Sequence, residues 1–118
     1  MPALTPIEFT GQHAVEGYGP GFFRVAGQVF RSALVIEADR VTPWDGLDQL
    51  APLEALAGRV DVLFLGMGAG VAVPPRDLIA HLDALGLRVE AMASATAART
   101  YNVTLSEGRR VACALLPL

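Results

Sequence analysis

The sequence predicts an α/β domain, a single mixed sheet with helices packed on it and a β-hairpin near its N-terminal side. Three observations lead there. The 118 residues are 53% hydrophobic and 18% charged, enough for one buried core and too few for two. Short β-prone runs separated by glycine come early in the chain. The second half alternates apolar runs with stripes of helical period, the β-α-β-α-β order of a layered sheet. Residues 1–118 are therefore taken as one domain, with residues 1–17 as an N-terminal extension.

Phe22 to Phe30, FFRVAGQVF, reads as the hairpin, with Gly27 supplying the positive φ that a tight turn needs. Ser32 to Ile36 is the next strand, and Pro43-Trp44 marks a break after it. Leu47, Leu50, Leu53 and Ala57 recur at helical spacing, but Pro52 keeps that helix short or irregular. Val60 to Leu65 is a strand apolar on both faces and ends at Gly66. Pro74 or Pro75 suits the first turn of a helix carrying Leu78, Ile79, Leu82 and Leu85, which Gly86 ends. Arg88 to Met92 completes a parallel βαβ crossover. Ser94 or Thr96 is the expected N-cap of the last helix, Gly108 its C-terminal cap, and Val111 to Leu116 a final central strand with Cys113 buried in it.

Composition narrows the function. A net charge of −3, with all nine basic residues arginine and scattered, provides no basic field for nucleic acid. Arginine without lysine suits a bacterial chain. No apolar run approaches the ~20 residues of a membrane-spanning helix, so no membrane insertion is expected. The N-terminal stretch shows neither a secretory signal nor a transit peptide, and a single cysteine implies a reducing compartment, so the expected location is cytoplasmic. No His/Cys group has metal-ligand spacing, and no metal or cofactor is expected. His81 stands one turn from Asp77 on an exposed helix face, and His13 lies in a polar stretch. Trp44 reads as a core or loop anchor.

Two places can bind something. Loops after parallel strands share one rim, which would bring Gly66, Met67, Gly68 and Gly70 close to Ser94, Thr96 and Arg99. Backbone N–H groups of a glycine loop and of a helix start attract carboxylates or phosphates. A dinucleotide fingerprint is incomplete here, because Val71 stands where its third glycine belongs, although Glu90 has the spacing of a ribose-binding acid. The bland reading is a structural tight turn and a simple helix cap. The second place is the last helix, where Ala98, Tyr101 and Leu105 share the face toward the sheet while Arg99, Asn102 and Ser106 share a polar strip for a partner. Glu107 at its C-terminal end is expected to pair with Arg109 or Arg110.

Arg99-Thr100-Tyr101-Asn102-Val103 followed by Glu107-Gly108-Arg109 resembles the signature of the Mth-domain family. The resemblance covers roughly Tyr18 to Leu118 and implies an Mth-domain-like layered α/β fold. Family members typically carry Gly-Thr-Gly where Met67 stands between Gly66 and Gly68, and a cysteine where Ala98 stands, so a thiol chemistry at that position is excluded here. The family has no established reaction, and one mitochondrial member assists assembly of NADH:ubiquinone oxidoreductase. The resemblance thus implies a non-enzymatic protein-binding or assembly module, with a protein partner or a second copy as its ligand and a link to respiratory complex I biogenesis. The competing expectation is a small-ligand, nucleotide or anion binder, or an enzyme, using the glycine-rich rim.

Overall fold

The computed structural model describes residues 7–8, 14–70 and 72–118. In chain order its strands are β1 (Ile7–Glu8), β2 (Val15–Gly19), β3 (Phe22–Val25), β4 (Gln28–Phe30), β5 (Ala33–Glu37), β6 (Arg40–Trp44), β7 (Val62–Gly66), β8 (Arg88–Met92) and β9 (Val111–Leu115). The helices are α1 (Ala51–Glu54), α2 (Arg76–Ala84) and α3 (Ser94–Ser106). Among the described residues the main sheet has six strands in the order β1-β6-β5-β9-β7-β8, and β2-β3-β4 form a separate three-stranded sheet. β7 is parallel to both β8 and β9, while β5 is antiparallel to β9 and β6, so the sheet is mixed as expected.

Strand periodicity sorts the core into two layers. Leu34, Ile36, Val62, Phe64, Val111, Cys113 and Leu115 face α3 and the small sheet, packing on Ala97, Ala98, Tyr101, Leu105, Phe23 and Val25. The alternate positions Ala33, Val35, Leu63, Leu65, Ala112 and Ala114 face Trp44, Leu53, Leu56, Leu78 and Leu82 on the other side. β9 sits between β5 and β7 and is buried on both faces, which is why its sequence is continuously apolar. Cys113 is free and wholly buried there, and burial pushes its thiol pKa up.

Several expectations need correction. Pro43 and Trp44 do not break the chain after β5; both lie inside β6, where Pro43 pairs with Leu34. Among the described residues β1 covers only Val41 and Arg40, and no second ladder is described at Pro43 for its missing N–H to interrupt. Trp44 is a core anchor, with its indole N–H donating to the Gln49 carbonyl at 2.7 Å. Pro75 precedes α2 as its N-cap instead of sitting in the first turn, and Leu85, assigned to the apolar stripe, is 45% exposed beyond the helix end. Ala93 is the N-cap of α3 and no side chain caps it, so neither Ser94 nor Thr96 has that role. The small sheet begins at Val15, within the stretch assigned to an extension, whereas His13 lies outside the described residues.

Candidate functional site

The two turns at the C-terminal ends of β7 and β8 do meet. The Met67 N–H donates to the Met92 carbonyl at 2.8 Å, and the Ser94 N–H to the Gly68 carbonyl at 2.8 Å. Ser94 then closes the junction: its hydroxyl accepts from the Gly68 N–H at 2.9 Å and donates to the Leu116 carbonyl at 2.7 Å. A Cβ on Gly66 would lie 2.7 Å from Ser94 Cα, so the glycine is required by close approach of the α3 start. Of the polar groups expected to hold an anion, the Met67, Gly68 and Ser94 N–H groups and the Ser94 hydroxyl are thus taken up within the protein, and Ser94 is fully buried. Gly70 and Thr96 stay exposed, as does Arg99, which donates to the Tyr18 hydroxyl at 2.9 Å and approaches Thr96 Oγ1 at 3.4 Å. Glu90 pairs with Arg88 at 3.2 Å on the outermost strand.

On α3 the inner face is as expected, with Ala98, Tyr101 and Leu105 all buried. The polar strip is only partly open. Asn102 accepts from the Val15 N–H at 2.8 Å and donates to the Val15 carbonyl at 2.9 Å, docking β2 onto the helix. Arg99, Val103 and Ser106 remain exposed, with the Ser106 hydroxyl donating to the Val103 carbonyl of its own helix. The expected Glu107–arginine pair is replaced by Arg110 with Asp61 at 2.7 Å. That contact holds the Asp61 carboxyl below its usual range and raises Arg110. His81 pairs with Glu54 of α1 at 2.6 Å, not with Asp77.

A hollow lies at the other end of the sheet, where β7 and β9 begin, about 13 Å from the glycine rim along a five-residue strand. It is a cleft of about 610 Å³ formed by three connections: Glu37 to Arg40 between β5 and β6, Arg59-Val60 before β7, and Gly108 to Val111 before β9. The Asp61 N–H donates to the Arg110 carbonyl at 2.8 Å and ties two of these connections together. Four arginines line it: Arg40, Arg59, Arg109 and Arg110. Glu37, only 9% exposed, is gripped by Arg59 Nη2 at 2.8 Å and 2.9 Å from its two oxygens, with Arg40 Nε at 3.8 Å. Burial nevertheless raises the Glu37 pKa, outweighing the two arginines that lower it, while Asp39 adds to the rise. Arg109 has no ion-pair partner among the described residues, and its fork is available for an acid.

None of these cleft residues was assigned a binding role from sequence. The legible signal was the dipeptide Gly-Arg twice, at Gly58-Arg59 and Gly108-Arg109, each just ahead of a buried strand. What could not be read was that β5 runs antiparallel to β9 and so returns Glu37 to the same end.

A mixed main sheet with α3 and a three-stranded sheet on one face and α1 and α2 on the other defines an Mth938-like α/β domain. A solution structure of a Mth938-like domain from Bordetella pertussis matches 99% of this chain and 92% of its own, with a TM-score of 0.77 and 28% identity. The chain belongs to the family described as protein of unknown function (DUF498/DUF598), whose model matches residues 15–116. It is 56% identical over 110 residues to an uncharacterized protein of Rhodobacter capsulatus, covering 93% of this chain and 89% of that protein. The crystal structure of an outer membrane protein from Bartonella henselae is similar with a TM-score of 0.83 at 25% identity, covering 92% of this chain and 98% of that one. In this chain no described helix is long and apolar enough to cross a membrane.

Proposed function

We propose that this protein is a non-enzymatic binding or assembly module that receives an acidic segment of a partner protein in the arginine-lined cleft. The observation that carries the reading is the gathering of four of the nine arginines around one hollow in a chain of net charge −3. Guanidinium forks match carboxylates in shape and charge, and four arginines against Glu37 and Asp39 leave the cleft lining positive in a chain that is negative overall, which orients an acidic partner's approach. The Mth-domain resemblance makes acidic segments of NADH:ubiquinone oxidoreductase subunits the first partners to try. The compartment proposed with it is the cytoplasm, which the free, buried Cys113 suits.

Arg109→Glu is the variant of choice, because Arg109 is exposed and its side chain makes no ion pair among the described residues. Partners retained by the wild-type protein at low salt should be lost by R109E while its melting temperature stays within a few degrees. Equal recovery of the same partners by both proteins overturns the cleft as the binding surface. Fractionation of native host cells checks the compartment: the chain should remain in the supernatant, and recovery in a salt-washed membrane pellet overturns the cytoplasmic assignment.

A further inference from the structure

The arginine cleft has a neighbour. A smaller hollow of about 290 Å³ lies beside it, lined by Val35, Thr42, Ala51, Pro52 and Ala55, and Glu37, Arg40 and Arg59 border both. The border the two share thus includes the ion pair of Arg59 with Glu37, at 2.8 Å. In the cleft, one guanidinium already holds a carboxylate, and that carboxylate belongs to the protein itself.

We propose that Glu37 is an internal stand-in for the ligand: an acidic side chain entering the cleft takes over Arg59, and the released Glu37 carboxylate takes up a proton from solvent. This rests on the reading of the cleft as the binding site. The physical reason is burial. Taking the closest cation from a carboxylate that is 9% exposed raises the cost of its charge and so favours protonation. The groups facing it work in both directions. Arg59 from the connection before β7 and Arg40 from the β5–β6 turn favour the charged form, and Asp39 of the same turn opposes it. Across the cleft lie Arg109 and Arg110, the latter committed to Asp61, and the buried phenol of Tyr101 on α3 feels the Glu37 charge. Loss of the Arg59 contact shifts this balance toward the neutral acid. The pair also stands on the border the two hollows share, and two adjoining hollows suit an extended acidic segment better than a single small anion.

The test is calorimetric titration of the full chain with an aspartate tetrapeptide, whose carboxyls stay ionised above about pH 5. Binding should take up as much as one proton per peptide, read from its heat in buffers of different ionisation enthalpy. Its affinity should weaken toward tenfold per pH unit between the Glu37 pKa of the free and of the bound protein. Glu37→Gln should bind more tightly than wild type near pH 8 and lose the pH dependence. Binding without proton uptake overturns the stand-in and leaves the cleft reading intact, and uptake that persists in Glu37→Gln does the same. Absence of binding by both proteins overturns the cleft reading together with this inference. Even where Glu37→Gln fails to fold, a wild-type titration without proton uptake overturns the stand-in.

Discussion

At Ser94 one hydroxyl is used twice, accepting from Gly68 and donating to Leu116, so that the ends of β7 and β9 are sewn to the start of α3. Ser94→Ala strands both groups without letting in a replacement side chain, and should cost about 1–3 kcal/mol, read from the denaturant midpoint. Gly66→Ala should cost a similar amount for a different reason, since the new methyl meets Ser94 backbone that cannot rotate away. The buried acids make a second prediction. Burial raises Cys113 and Tyr101, so the folded state holds protons that the unfolded chain releases above the ordinary thiol value of 9.0 and phenol value of 10.0. The sign follows: the unfolded state binds fewer protons there, and stability must fall as pH rises through that range. Thermal melts across alkaline pH should show the fall, and Tyr101→Phe should flatten its upper part. An unchanged slope in that variant would contradict the assignment. Burial of Cys113 was legible from the apolar run around it, whereas the double role of Ser94 was not, because its partners lie 26 and 22 residues away.

Among the elements, the β3–β4 hairpin was read correctly down to its turn, since Ala26 and Gly27 both have positive φ, at 52° and 75°. Only the glycine adopts that conformation without penalty. Ala26→Gly should therefore raise stability by up to about 1 kcal/mol, the left-handed strain of alanine less the added freedom of the unfolded chain. Besides the packing of Phe23 and Val25 and the Arg99 bond to Tyr18, the small sheet is tied to the body of the protein by Asn102, whose amide pairs with both backbone groups of Val15. Asn102→Ala should cost about 1–3 kcal/mol and speed amide exchange in β2 and β3 more than in β9. Uniform exchange rates in all three strands would mean that the amide docks nothing. This clamp explains why a mediocre helix former occupies the middle of α3. Sequence assigned Asn102 to a partner surface, because a contact across 87 residues leaves no local trace.

For the whole molecule, the arrangement of charge matters more than its total. The cleft gathers arginines from three connections at one end of the sheet, so its field should be felt by acidic partners within roughly a Debye length, about 8–10 Å at ordinary salt. Affinity for an acidic probe should fall as salt rises, and a binding constant indifferent to salt would place recognition elsewhere. Composition and periodicity by themselves determined the single α/β domain, the hairpin, the parallel crossover, the buried final strand and the inner face of α3. All of these follow from local backbone preference and from which side chains must leave water, properties each segment carries with it. The tertiary structure alone decided that the glycine rim is closed by Ser94, that Asn102 holds the small sheet, and that Glu37, Arg40, Arg59, Arg109 and Arg110 form one site. Those are meetings of residues distant in the chain, fixed by strand order and direction, and strand order depends on the packing of every element at once.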